Sequence, residues 1–167
     1  AGLRDLWNRL SEADRLHPKV ALAAARSFVR LGGDREAVEI LARSLDRQWD
    51  PALVAAFADC RPADPSRQLE TAERWLTQHS DDATLLCSLG RLCERAQLWG
   101  KAQTYYEASL ALDDHWRAHV LLGNMLARLG REEAQDFRGV DVFQRRATGR
   151  DLDRAVRRAV RNQGADA

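Results

Sequence analysis

Between Ala83 and Asp114 the chain reads ATLLCSLGRLCERAQLWGKAQTYYEASLALDD. Leu86, Leu89, Gly90 and Cys93 recur at spacings of three and four, which is one face of an α-helix. After a short turn near Gln97 to Gly100, Ala102, Tyr105, Tyr106, Ser109 and Leu110 do the same. Gly90 and Ala102 have almost no side chain, so two helix backbones can approach closely there, with Leu89 and Tyr106 filling the space beside them. A helix pair of this kind leaves apolar surface on its flanks and calls for stacked neighbours.

The neighbours are legible. Ala37, Ala72, Ala102 and Ala134 follow one another at 35, 30 and 32 residues (72−37, 102−72, 134−102). The stretch from Ala83 resembles the tetratricopeptide repeat (TPR), whose period is about 34 residues. Leu86 falls at its aromatic position, Leu89 and Gly90 form the Leu-Gly pair, Ala102 is the central alanine and Tyr106 the following aromatic. Cys93 stands where Tyr is usual and Asp114 where Pro is usual. The resemblance implies an all-α, right-handed superhelix of antiparallel helix pairs.

In chain order, Leu3 to Leu16 reads as one short amphipathic helix left over from a preceding repeat. A pair over about 17–47 starts at His17-Pro18 and carries Ala25 and Phe28 on its first helix and Ala37 on its second. Gly32-Gly33-Asp34 reads as a stop and then an N-cap. A pair over about 51–79 opens on Asp50-Pro51 and is shortened by Pro62 and Pro65. The third pair spans about 82–112. A fourth begins near residue 115, with Asp113-Asp114 read as its cap, Leu122-Gly123 as its Leu-Gly pair, a stop at Gly130 and Ala134 as its central alanine. Beyond that, residues 135–149 lose the pattern and 151–162 read as a basic capping helix. The opening Ala-Gly directly before a helix reads as an added scar, with the chain cut from something longer.

Net charge is +1, so bulk charge points neither to nucleic acid nor to a membrane surface. No run of 18 apolar residues occurs, and no signal-peptide pattern. Cys60, Cys87 and Cys93 make an odd count without a CxxC motif, which favours free, structurally buried thiols over a disulfide framework. His115 and His119 are four apart, but HWRAH lacks the glutamate of HExxH, so packing or capping is the expectation. Trp7, Trp75 and Trp116 fall on apolar faces and Trp49 and Trp99 at repeat junctions; core and junction packing is expected for all five. No convergent acid, base and nucleophile are discernible, and an enzyme is not expected.

Several stretches also resemble HemY, a proteobacterial protein encoded with porphyrin-synthesis genes: LRDLWNRL and HPKVA (Leu3–Leu10, His17–Ala21), RQWDPALV (Arg47–Val54) and LGRLCERAQLWGKAQTYYEASLAL (Leu89–Leu112). The resemblance implies a soluble TPR region behind N-terminal inner-membrane helices, on the cytoplasmic side. It implies a scaffold for enzymes of haem and porphyrin synthesis. No cofactor is expected for a scaffold; direct carriage of haem or a porphyrin precursor is the alternative, and an adaptor for an unrelated acidic peptide is a second.

TPR arrays bind partners on a concave face lined by the first helix of each pair. Set in register, the ninth position of those helices holds Arg26, Arg61, Arg91 and Asn124, and one turn later come Arg30, Arg95 and Arg128. Lys19 extends the series. Residues four apart share a helix face, and Arg presents a planar fork matched to carboxylates. The functional reading is a groove for an acidic peptide, a protein C-terminus or an anionic porphyrin-type ligand. The plainer reading is a solvated face of an Arg-rich protein. The stretch Arg138 to Arg161, with eight Arg against three Asp, is read as a solvated capping helix; juxtamembrane or RNA contact is the alternative, and self-association through this stretch or the edge repeats stays open.

Overall fold

A computed structural model describes residues 2–129, which form helices joined by short turns. They fall into two compact units, the first ending at Thr71 and the second beginning at Ala72. The Ala134 position, the stop at Gly130, residues 135–149 and the basic helix at 151–162 lie outside the described residues.

In the first unit, α1 (Leu3–Arg9) and α2 (Glu12–Leu16) precede α3 (Pro18–Arg30), α4 (Asp34–Arg47) and α5 (Pro51–Asp59). The single helix expected from Leu3 to Leu16 is therefore broken in two. Leu10 adopts an extended backbone, and Ser11 starts a new helix by accepting from the Asp14 N–H at 3.1 Å. A serine able to cap competes locally with helix continuation. α3 and α4 form the principal antiparallel pair, with α5 packed on both. Ala21, Ala25 and Phe28 from α3 meet a core that includes Ala37, Leu41 and Leu45 from α4, all buried. Ser44 lies within that apolar stripe, and its hydroxyl is satisfied by donating to the Leu16 carbonyl at 2.8 Å.

The turn after α3 is a Schellman closure. Gly33 donates to the Phe28 carbonyl at 2.8 Å and Gly32 to the Val29 carbonyl at 3.0 Å, with Gly32 at φ +77°. Asp34 is not the N-cap expected from the sequence. It is the first residue of α4, and its carboxylate accepts from the Arg61 backbone N–H at 2.6 Å. α5 opens as read, with Asp50 accepting from the Ala52 N–H at 2.8 Å and Pro51 in the first turn. α6 (Pro65–Leu76) begins in the first unit and ends in the second.

In the second unit, α7 (Ala83–Arg95), α8 (Trp99–Leu112) and α9 (Trp116–Arg128) pack in sequence, and α7 also touches α9. The α7–α8 pair is the repeat from which the sequence argument started. A Cβ built on Gly90 would lie 2.7 Å from two atoms of the Tyr106 ring, so the helices meet only because that side chain is missing. Leu89, Ala102, Tyr105 and Tyr106 are fully buried around this contact. Ser109 repeats the role of Ser44, donating to the Ala83 carbonyl at 2.7 Å. The α7–α8 turn is also a Schellman closure, but Gln97 at φ 60° occupies the left-handed place that Gly32 fills in the first unit.

α9 carries Leu122 buried and Gly123 in open space, with no described atom within 4 Å of its virtual Cβ. Its N-cap is His115, whose Nδ1 accepts from the Arg117 N–H at 3.1 Å, and not the Asp113-Asp114 pair. Asp114 instead pairs with His119 at 2.5 Å. Trp116 departs from the expected core role: it is 67% exposed, stacks on His115 and lies under the Arg117 guanidinium.

Candidate functional site

The residues read as a basic column divide between the two units. In the first, Arg26 and Arg30 are exposed on α3. Arg61 is not on a first helix at all. α5 ends at Asp59, Cys60 is extended, and Arg61 lies in the connection with its backbone tied to Asp34. Pro62 has no N–H to extend the helix, which is why the column is interrupted here. Lys19 is exposed in the first turn of α3.

In the second unit the column is more coherent. α7 supplies Arg91 and Arg95, and the neighbouring α9 supplies exposed Asn124 and Arg128. Arg128 is engaged internally: its guanidinium pairs with Glu94, only 15% exposed. The other Glu94 oxygen accepts from the Tyr106 hydroxyl at 2.8 Å. Glu94 thus links α7, α8 and α9, and Arg128 acts as an interhelix clasp in addition to any role on the surface. Burial pushes the Tyr106 hydroxyl well above the usual phenol range, against the opposing pull of nearby guanidiniums that include Arg91, so it stays a hydrogen-bond donor.

The sequence reading missed Arg117. It stands on α9 near Cys87, where it and Arg91 both act electrostatically on the thiol. Counting only the ninth and thirteenth positions of each first helix skipped it; extending the register to the second position of α9 would have found it. Arg91 of α7 and Arg117 of α9 therefore both lie within electrostatic reach of Cys87.

The three cysteines differ. Cys60 and Cys93 are buried, and Cys87 is partly accessible. Burial, helped by the Glu73 carboxylate, pushes the Cys93 thiol up to about 12 against the opposing pull of Lys101. Burial also raises Cys87, with Arg91 and Arg117 working the other way. Because the thiolate is the nucleophile, iodoacetamide should label Cys87 alone in the native chain, more slowly than a free cysteine. All three should react in denaturant. Arg91→Glu should slow Cys87 further, since it replaces a stabilising cation by an anion. Native labelling of Cys93 at the rate of Cys87, read by peptide mass spectrometry, would contradict this assignment.

No group of three or more His, Cys, Asp or Glu side chains disposed to hold a metal occurs among the described residues, and no helix there is long and apolar enough to cross a membrane. No family model matches the chain, and no curated protein matches it. Among solved structures, the crystal structure of MamA is similar, with a TM-score of 0.55, 16% identity, and coverage of 98% of this chain and 89% of that one. The fold is an all-α array of TPR-type helix pairs. At that identity the likeness speaks for the fold alone.

Proposed function

We propose that the chain is a non-enzymatic protein-interaction scaffold that engages acidic segments of its partners through the Arg-rich faces of its first helices. The observation that carries this reading is the pair of neighbouring helices α7 and α9, whose Arg91 and Arg117 both lie near enough to Cys87 to act on its thiol. Guanidinium forks on neighbouring helices suit carboxylates spaced along a peptide. Arg26 and Arg30 offer the same chemistry on α3 in the first unit.

The finer reading places the scaffold with enzymes of haem and porphyrin synthesis, on the cytoplasmic side of a bacterial inner membrane and behind an N-terminal anchor. What supports it is the resemblance of Leu3–Leu10, His17–Ala21, Arg47–Val54 and Leu89–Leu112 to HemY.

The test is a pull-down from cell extract with the chain and with a variant carrying Arg26→Glu, Arg91→Glu and Arg95→Glu, both checked for equal helical content. Reversed charge should reduce capture of specific partners by about tenfold or more. Equal capture by both versions would reduce the basic faces to solvated surface. Specific capture of porphyrin-synthesis enzymes supports the finer reading; capture of unrelated proteins that the variant loses keeps the scaffold and removes the haem link.

A further inference from the structure

A cleft of about 300 Å³ opens in the first unit, walled by α1, α2 and α4 with Phe28 of α3 beneath. It is remote in the chain from the α7–α9 face, and nothing in the proposed scaffold function uses it. Its floor is apolar: Trp7, Leu16, Phe28 and Ile40. Three cations share the cavity with that floor, Arg4 from α1, Arg15 from α2 and Arg43 from α4. The hydrogen bond from Ser44 to the Leu16 carbonyl holds the two helices in register, so the residues just before them, Arg15 and Arg43, belong to the same wall.

The lining carries three guanidiniums, Arg4, Arg15 and Arg43, and three carboxylates, Glu12, Glu36 and Glu39, and two of the carboxylates are already engaged. Glu36 pairs with Arg4, and Glu39 with Arg35 at 3.3 Å. Arg15 and Arg43 have no acidic partner among the described residues. The Arg15 Nε is moreover shut off from solvent without an acceptor. A buried donor left unmade is costly, and a donor on a charged group more so. An apolar floor beside unanswered guanidiniums inside one small cavity is the arrangement of a small-molecule site, in which a few polar groups orient a mainly apolar ligand.

We propose that this cleft binds a small monocarboxylate with an apolar body, its ring or branched chain on Trp7, Leu16, Phe28 and Ile40 and its carboxylate between Arg15 and Arg43. The volume stands at the lower end of the range of about 300–1,000 Å³ for ligand pockets, which sets the body at a single ring or a short branched chain. The carboxylates of Glu12, Glu36 and Glu39 line the same cleft. They oppose a doubly charged phosphate more strongly than a single carboxylate, which decides the anion class.

The experiment uses 3-phenylpropionate as the probe on the 167-residue chain, followed by the Trp7 indole N–H in NMR spectra. The alcohol 3-phenylpropanol has the same ring without the charge, and phenyl phosphate has the ring with a greater one. Saturable shifting of the Trp7 signal by the carboxylate is expected. The alcohol, the phosphate, Arg15→Gln and Arg43→Gln should each weaken it by about tenfold or more. Arg43 is exposed, so Arg43→Gln leaves the fold intact and separates loss of binding from loss of structure; circular dichroism of both variants checks this. Absence of a Trp7 shift at millimolar probe overturns the proposal. So does binding that the alcohol or the Gln variants reproduce, because the cations would then play no part.

Discussion

Gly90→Ala is expected to destabilise the second unit by about 2 kcal/mol, the balance of about 3 kcal/mol of overpacking strain and about 1 kcal/mol of improved helix propensity. The added methyl would sit 2.7 Å from the Tyr106 Cδ1 and Cε1 and 3.0 Å from its Cγ. The ring is fully buried and its hydroxyl is held by Glu94, so it cannot withdraw without giving up that bond. Gly123 occupies the same place in the other Leu-Gly pair, 33 residues on (123−90). There the virtual Cβ meets nothing among the described residues. Gly123→Ala should therefore gain about 1 kcal/mol from propensity alone. Urea unfolding of both variants is the measurement. Equal stability of Gly90→Ala and wild type would mean that the α7–α8 spacing is looser than described.

In the first unit the largest loss is expected from Gln68→Leu, about 2–3 kcal/mol. Gln68 is 2% exposed, and its Nε2 donates to the Phe57 carbonyl at 2.6 Å and the Cys60 carbonyl at 3.2 Å. The need for this donor arises at the end of α5. A helix leaves its last carbonyls without intrahelical donors. The N–H that would continue α5 onto the Phe57 carbonyl belongs to Arg61, and it is taken by Asp34. Pro62 offers none. Gln68 closes the gap from α6, tying a short helix to its successor. Leucine keeps the volume and removes the donor, so the loss reports the hydrogen bonds and not a cavity. Thermal and urea melts that match wild type would show that other groups satisfy these carbonyls.

The second unit also shows how far a column of residues can be read from spacing. Arg91 and Arg95 lie on α7 where the register put them, and Asn124 is exposed on the adjacent helix. Arg128 occupies its place in the register, but its charge is committed to Glu94. Register assigns a face; it does not assign the partner that face already has. Arg61 failed for a different reason. A register counted along one continuous helix loses meaning once the helix ends, and α5 ends two residues earlier.

Helix identity, the apolar faces and the proline-led entry at Asp50-Pro51 were determined by the sequence alone, because they depend on side-chain periodicity and on groups within one turn of each other. The α3–α4 and α7–α8 pairs were legible for the same reason: small and apolar residues recur at helical spacing along each partner. What the tertiary structure decided depends on groups far apart in sequence. It took Asp34 away from its cap to serve Arg61, 27 residues later. It left Trp116 exposed on a face whose pattern reads as core. It pressed one Leu-Gly pair against Tyr106, whereas at the other no described residue comes within 4 Å of the glycine's virtual Cβ. A local pattern states what a residue can do; only the neighbours brought up by the fold determine which hydrogen bond, ion pair or contact it makes, because each donor, acceptor and volume can be used once.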